Sequence, residues 1–498
     1  MGILRRQSIK SSIATYIGVA VGTLNFMYLF PKFLLPEQLG LTRVMIAVAV
    51  IFSQISLLGT PAALIRFFPY FNNRQQKNYG FVSLMFRIVL VGFLIVSIVF
   101  LIFKNQIEEL YRAKSPIFSQ YYLYVLPMAL FITVAELAFN YCRSLLKLPI
   151  PTFFREVMLR VFQSAALVFF ILHLVSFKMF VVLFVGTYFL TMLLMIGYIF
   201  FLKQFFFFSK IHLEEKVSFR QIMRFSLFSF AASSAAVYTA NIDTVLLGML
   251  ASLASTAVYS IAFFIGTIIQ IPARSMNVIA TSIVAEAWKN DDRKKIQELY
   301  TQTSLNQIII GGFIFLIVWV NVDELLSILP AIYSTAKWAI LIIGVGKLFD
   351  MATGINGEII LESKHVKVGL ITNLFLIIIS TAANYLLIPV YGVYGAAMAT
   401  VLSLFSYNII RMVFLFYEYR LQPFNMGTVK ATALLLFCFG VYNVLPSTKD
   451  IWLDGIYRSI ILALIFIFPL LIFKISPEIN AAYKSGRLFL FKDRKDTQ

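Results

Sequence analysis

The sequence predicts an all-α integral membrane protein with about 14 transmembrane helices. Of its 498 residues, 60% are hydrophobic and 13% are charged, whereas soluble chains carry about 25% charged residues. A water-soluble fold of this length could not cover its surface with so few charges. Much of the surface must therefore face lipid. The composition also excludes a disordered chain, a collagen and, with only two cysteines, a disulfide scaffold.

About fourteen apolar stretches approach or reach the roughly 17–25 residues that a helix needs to cross a bilayer. In chain order they are residues 13–33, 41–67, 79–103, 118–141, 154–175, 179–202, 225–250, 257–278, 305–320, 336–351, 368–388, 395–416, 431–444 and 456–473. The ninth and the thirteenth are short.

The net charge of +19 comes from short basic clusters between the apolar stretches. This distribution argues against a nucleic-acid partner, which would need one basic face or tail. Alternate loops carry roughly 28 basic residues on one side and roughly 9 on the other, and cytoplasmic loops are the basic ones. Both termini are therefore predicted to be cytoplasmic. No Walker glycine–lysine loop is present, so any transport would be driven by an ion gradient, the membrane potential or the substrate gradient.

Two short outer loops, residues 34–42 and 249–260, fall six spans apart. Each leads into a span that exits into a basic cytoplasmic segment. The spacing predicts two six-helix lobes related by a pseudo-two-fold axis along the membrane normal, followed by two appended helices. Convergent loop chemistry is the alternative. The predicted domains are residues 1–212, residues 213–417, and residues 418–498, which hold the last two spans and a basic cytoplasmic tail.

Apart from residues at the span ends, five basic residues lie inside predicted spans, in the third nearest the cytoplasm: Arg87, Arg160, Arg274, Lys347 and Arg411. Ionisable groups in hydrocarbon are costly unless they pair, snorkel or line a wet cavity. Facing a central cleft, they would form a cationic ring for the phosphate or pyrophosphate of a substrate headgroup, which guanidinium groups bind bidentately. Snorkelling to the inner headgroups is the alternative, and for Arg160 a structural pair with Glu156 is another.

Polar residues recur at helical spacing along three of the spans. In the eighth span they are Gly266, Gln270, Arg274, Asn277 and Thr281, in the twelfth they are Thr400, Ser403, Tyr407 and Arg411, and in the fourth they are Thr133, Glu136, Asn140 and Arg143. Such a face must meet protein or water rather than lipid. Pro272 is predicted to kink the eighth span.

Asp243 has no basic residue in its own predicted span. A lone carboxylate inside a span could carry a proton or bind Na⁺. A hydrogen bond from a neighbouring helix is the alternative explanation. Asp350 follows Lys347 by three residues, so structural neutralisation is open there. The candidate ion-coupling or polar-cleft residues are Asp243, Glu136, Asp350, Asn241 and Gln270. No resident metal or cofactor is predicted, the coupling ion being H⁺ or Na⁺.

Three segments resemble a known family, the O-antigen and capsule polysaccharide flippases of the multidrug/oligosaccharidyl-lipid/polysaccharide exporter superfamily. Residues 384–400, NYLLIPVYGVYGAAMAT, look like the family's eleventh-to-twelfth span signature. Residues 241–248 look like its seventh span, and residues 58–68 look like the end of its second. Residues 40–42, GLT, lack the tyrosine that many members have there.

The resemblance implies a flippase rather than an enzyme, located in the bacterial cytoplasmic membrane. It would move undecaprenyl-pyrophosphate-linked oligosaccharide from the inner to the outer leaflet by alternating access. The implied partners are this lipid-linked oligosaccharide, membrane lipids and other polysaccharide-assembly membrane proteins. A lipid II flippase or a cation-coupled drug exporter is the alternative. The first lobe has few carboxylates, and this scarcity disfavours organic cations as substrates of a drug exporter. A membrane glycan polymerase is less favoured, because no large polar loop or intramembrane histidine is present.

Overall fold

The chain forms two helical units in the computed structural model, which describes residues 2–210, 217–446, 450–481 and 483. The first unit contains residues 1–260 and 388–392, and the second contains residues 261–387 and 393–498. All regular elements within the described ranges are helices. The boundary at residue 260 lies one span beyond the predicted lobe boundary at 212, because the helix of the seventh span packs on that of the second. The three predicted domains stay a prediction.

The first unit contains twelve helices and the start of a thirteenth. They are α1 (Gly2–Leu24), α2 (Phe30–Phe33), α3 (Pro36–Leu57), α4 (Thr60–Phe71), α5 (Phe81–Ile102), α6 (Lys104–Arg112), α7 (Pro116–Tyr121), α8 (Val125–Ser144), α9 (Pro149–Phe153), α10 (Leu159–Ile171), α11 (Phe177–Phe201), α12 (Phe219–Leu250) and α13 (Leu253–Ile269). Two π-helical turns, Asn25–Leu29 and Phe154–Met158, join α1 to α2 and α9 to α10. Short 3₁₀ turns occupy Lys77–Gly80 and Tyr122–Tyr124.

The second unit continues from α13 with nine further helices and a 3₁₀ turn at Ala331–Thr335. They are α14 (Ile271–Lys289), α15 (Arg293–Val320), α16 (Val322–Ser327), α17 (Ala336–Ala352), α18 (Asn356–Glu362), α19 (Val366–Tyr391), α20 (Val393–Tyr419), α21 (Met426–Tyr442) and α22 (Ile451–Ile472).

Each predicted span coincides with helix in this structure, which confirms the all-α membrane fold. Among the described residues, 10 helical segments are long and apolar enough to cross a membrane, and the bent pair α13 and α14 makes 11. The short thirteenth span is α21, an apolar helix of 17 residues. The fifth and seventh spans fall on residues 149–171 and on α12, which are not among these 11 segments.

The predicted kink at Pro272 is confirmed. Helices α13 and α14 meet at an angle of 48°, with Gln270 between them and the proline in the first turn of α14. Proline lacks an N–H group and its ring clashes with the preceding turn, so the helix cannot continue straight through this position.

Gly59 breaks the second span and lets α12 approach it closely. Leu58 and Gly59 both adopt left-handed backbone conformations, with φ of 46° and 76°. A Cβ atom at Gly59 would lie 1.9 Å from the carbonyl oxygen of Ser226 in α12, so only glycine fits. This contact brings α4 and α12 together.

Candidate functional site

A cavity of about 570 Å³ lies within the first unit, between α3, α4, α8, α11, α12 and the π-helical turn that precedes α10. Its polar lining consists of Ser53, Gln54, Asn140, Tyr188, Thr191, Ser229 and Ser233, together with the charged residues Glu136, Arg143 and Arg155. Gln54 donates through Nε2 to Ser233 Oγ at 3.0 Å, which ties α3 to α12 at the wall. Hydroxyl, amide and guanidinium groups therefore share one space with apolar side chains.

Charged residues of alternating sign extend from this cavity. Arg155 Nη1 donates to Glu136 Oε2 at 3.1 Å, and Arg155 Nε lies 3.5 Å from Glu156 Oε1. Arg160 Nη1 lies 2.9 Å from Glu156 Oε2, so the structural pair considered for Arg160 is formed. Asn140 also donates to Glu136 Oε1 at 3.1 Å. Arg155 and Glu136 are both partly exposed, so a ligand can reach them.

The π-helical turn Phe154–Met158 carries the middle of this charged row. Asn25, in the other π-helical turn, donates through Nδ2 to the Arg160 carbonyl at 2.8 Å and accepts from Ser164 Oγ at 2.7 Å. These two bonds fix α1 against α10. Single π turns within α-helices frequently occur at functional sites, and here one of them presents Arg155 to the cavity.

Arg411 is the centre of a buried polar network in the second unit, where its side chain is 9% exposed. Its guanidinium donates to Thr372 Oγ1 at 3.3 Å, to Asn373 Oδ1 at 3.2 Å and to Asn356 Oδ1 at 3.5 Å. It also stacks on the Tyr407 ring, with Cζ 3.9 Å from the centroid. Within the described part of the chain it forms no ion pair, so neutral dipoles and a ring solvate this cation.

Asn408 connects Asp350 to the same network. Asp350 accepts from Gln270 Nε2 at 2.6 Å and from Asn408 Nδ2 at 2.8 Å. Asn408 Oδ1 in turn accepts from Asn356 Nδ2 at 2.8 Å, and Asn356 contacts Arg411. Three predicted site residues, Gln270, Asp350 and Arg411, therefore belong to one hydrogen-bonded group.

On the C-terminal side of the kink, the polar face predicted for the eighth span also contacts protein. Asn277 donates to Glu358 Oε1 at 3.1 Å and accepts from Gln307 Nε2 at 2.7 Å. Burial raises the pKa of Glu358, which lies in the short helix α18, and the charge of nearby Arg411 opposes that shift. Lys347 is also buried, with Nζ 5.2 Å from the centroid of the Phe263 ring.

Arg87 and Arg274 lie on exposed surfaces, unlike Lys347 and Arg411. Arg87 shares a face of α5 with the exposed residues Leu90, Val91, Leu94 and Ile98, a position that fits snorkelling better than a place in a cavity. The convergence of all five basic residues on one vestibule stays a prediction.

Asp243 is buried, at 3% exposure, and accepts a hydrogen bond of 2.6 Å from the Tyr259 hydroxyl of α13. This is the contact to a neighbouring helix that was the alternative to ion coupling. Asn241 donates to the Val237 carbonyl of its own helix at 2.8 Å.

Sequence reasoning did not include Arg143 and Arg155 among the candidate site residues, because both lie at the ends of predicted spans. A signal was present, since Arg143 continues the polar row of Glu136 and Asn140 on α8. The amides of Asn356 and Asn408 were missed too, because only the packing of α17, α18 and α20 brings them to Asp350 and Arg411.

A second cavity, of about 910 Å³, lies in the second unit between α15, α17, α20 and α21. Apart from Thr428 and Thr432, its lining is apolar, and it includes Phe315, Leu341, Val345, Phe349, Leu435 and Phe439. This apolar groove offers a hydrocarbon chain a surface with few polar groups.

Comparison with known proteins identifies the family. Residues 4–288, more than half of the chain, match the family described as "polysaccharide biosynthesis protein", and residues 229–386 match the family described as MatE. No curated protein matches the chain by sequence.

Solved structures with the same fold cover most of the chain at low identity. A lipid II flippase MurJ in an inward-closed conformation superposes with a TM-score of 0.69 at 15% identity, covering 93% of this chain and 99% of its own. An inward-facing multidrug resistance MATE family transporter gives 0.60 at 15% identity, covering 85% and 99%. A MOP superfamily transporter from Pyrococcus furiosus gives 0.52 at 18% identity, covering 82% and 95%. With the family match, these similarities place the chain in the polysaccharide biosynthesis protein family of the multidrug/oligosaccharidyl-lipid/polysaccharide exporter (MOP) superfamily.

Proposed function

We propose that this protein is a flippase that moves an undecaprenyl-pyrophosphate-linked oligosaccharide from the inner to the outer leaflet of the bacterial cytoplasmic membrane. The observation that carries the proposal is the first-unit cavity, where hydroxyl, amide and guanidinium groups line one space in a chain of the polysaccharide biosynthesis family. Hydroxyls and amides hydrogen-bond sugars, and guanidinium groups bind pyrophosphate bidentately. The outward direction rests on the resemblance to polysaccharide flippases, and the cytoplasmic termini rest on the basic loops.

The apolar groove of the second unit supports a lipid-linked rather than a free substrate. Its volume of about 910 Å³ and its phenylalanine and leucine lining suit part of a prenyl chain, which would pack there against apolar side chains.

Arg155 is the residue on which the proposal is tested most directly. Arg155→Gln removes the cavity guanidinium but keeps a polar side chain, and it should abolish surface polysaccharide in cells while membrane levels of the protein stay normal. Loss of a charge-assisted contact with the headgroup is expected to reduce binding roughly 10- to 100-fold.

The matched control is Lys104→Gln, which removes a cation that also pairs with a glutamate, at 3.8 Å from Glu108, outside the cavity. Polysaccharide should stay at the wild-type amount in this variant. Normal polysaccharide in Arg155→Gln, with protein levels equal to wild type, would contradict the assignment of the cavity.

The buried network of the second unit and Asp243 are the proposed sites of ion coupling, with H⁺ or Na⁺ as the ion. Asp350→Asn and Asp243→Asn keep the shape of each side chain and remove its charge. Each should remove the dependence of transport on an imposed ion gradient in vesicles. If Asp243→Asn leaves that dependence intact, the Tyr259 contact is the whole role of Asp243.

A lipid II flippase is the second candidate, because the solved structure with a TM-score of 0.69 is named as one. Both substrates carry a prenyl pyrophosphate, so the cavity and the groove suit either. Mass spectrometry of lipid co-purified with the intact protein separates them, since a peptide-bearing glycan would identify lipid II and a peptide-free repeat unit would exclude it.

A further inference from the structure

A basic and aromatic cleft of about 500 Å³, distinct from the cavity above, lies in the first unit between the end of α4 and the start of α12. It is lined by Arg66, Phe67, Tyr70, Val217, Gln221, Arg224, Phe225 and Phe228. The predicted topology puts these helix ends at the cytoplasmic face. We propose that this cleft captures the phosphate-bearing headgroup of a lipid from the inner leaflet before it enters the cavity, an inference that rests on the proposed function.

The guanidinium group of Arg66 is held by aromatic rings rather than by an acid. Arg66 lies over the Phe225 ring at 4.4 Å and near the Phe67 ring at 5.7 Å. Neither Arg66 nor Arg224 forms an ion pair within the portion of the chain that the structure describes. A guanidinium that stacks on a ring keeps its N–H groups free for an anion.

The alternative interpretation is that both arginines only set the membrane topology, as basic residues at cytoplasmic helix ends commonly do. Topology requires only their number on one side of the membrane. It does not require two of them to line one cleft together with Tyr70 and Phe228, which are exposed large aromatic side chains. Aromatic rings and arginine at an interface suit a ligand that has both an acyl or prenyl chain and a charged headgroup.

The cleft continues onto the cavity along the same two helices. On α12, Phe225 lines the cleft and Ser229, about one turn further along the helix, lines the cavity. Residues four apart are neighbours on a helix surface, so the cleft and the cavity adjoin along α12. On α4, the cavity is lined by Ala62 and Ile65 and the cleft by the residues one turn further on. A headgroup bound at Arg66 and Arg224 therefore lies at the entrance of the cavity.

The test measures binding of two probes to the full chain in phosphatidylcholine nanodiscs. The probes are inorganic pyrophosphate and geranylgeranyl pyrophosphate, titrated against wild type, Arg66→Gln, Arg224→Gln and the double variant. Both positions are exposed, so the variants should fold. Each single variant is expected to weaken binding of the prenyl probe about tenfold, and the double variant more.

Arg220→Gln is the matched control, because Arg220 is an exposed arginine in the first turn of α12 that does not line the cleft. Its affinity for both probes should stay within about twofold of wild type. An equal loss in all three single variants would mean diffuse surface charge and would overturn the proposal. Binding of inorganic pyrophosphate alone would also overturn it, since the site would then take a free anion rather than a lipid.

The experiments distinguish a wrong assignment of the capture site from a wrong assignment of the flippase function. Surface polysaccharide in the Arg155→Gln strain tests the flippase independently of Arg66 and Arg224. If Arg155→Gln abolishes polysaccharide while the cleft variants bind the prenyl probe like wild type, only the capture site is refuted.

Discussion

Replacing Asn408 by leucine should destabilise the second unit through its buried polar network. Asn408 is 2% exposed and uses both ends of its amide. Its Nδ2 donates to Asp350 Oδ1 at 2.8 Å, and its Oδ1 accepts from Thr353 Oγ1 at 2.9 Å and from Asn356 Nδ2 at 2.8 Å. Leucine has a similar volume and no polar group, so these three contacts are lost without a large cavity.

The size of the effect follows from those three contacts. Interhelical side-chain hydrogen bonds in a membrane protein average about 0.6 kcal/mol, with a maximum of about 1.7 kcal/mol. Loss of three therefore lowers the free energy of unfolding by about 2–5 kcal/mol. The upper part of the range is expected, because the partly buried Asp350 carboxylate loses one of its hydrogen-bond donors.

The assay is the melting temperature of the purified chain in nanodiscs, which should fall by roughly 5–15 °C. Asn443→Leu is the control, because Asn443 is exposed and donates to the Phe439 carbonyl of its own helix. It should shift the melting temperature by less than about 2 °C. Equal shifts in the two variants would refute the view that the network joins α17, α18 and α20.

Three further changes test other parts of the structure. Gly59→Ala should destabilise by more than about 1 kcal/mol, because of its left-handed backbone and its contact with α12, whereas Gly197→Ala, with open space around it, should be neutral or stabilising by melting temperature. Glu358→Gln should flatten the dependence of stability on pH. Burial raises the pKa of this carboxyl in the folded state, so stability falls as the pH increases from the ordinary pKa of 4.5 through the raised value. An unchanged melting-temperature profile from about pH 5 to 8 would contradict this. Arg411→Lys should lower both the melting temperature and transport, because an ammonium cannot reach the separate acceptors that the guanidinium contacts, and wild-type values in both assays would exclude that role.

The sequence was sufficient for the helices and the kink because both depend on local properties of the chain. The length of an apolar stretch decides whether it can cross the bilayer, and Pro272 breaks its helix wherever that helix packs. The family could likewise be recognised from contiguous residues, as in the segment 384–400. Two spans that are not among the 11 long apolar segments, residues 149–171 and α12, were still recognisable because apolar stretches lie within them.

Which side of each helix meets protein is a property of packing, and only the tertiary structure decided it. In the sequence Arg87 and Arg411 look alike, as single cations in the inner third of an apolar span. In the structure Arg87 joins an exposed apolar face, whereas Arg411 is surrounded by amides from other helices. Arg155 differs from both, because its place at the start of a predicted span, next to a loop, did not indicate a site. In the structure a π-helical turn carries it to the cavity. A position in the chain fixes depth along a helix axis, but rotation about that axis and the choice of neighbours are set by contacts between residues far apart in sequence.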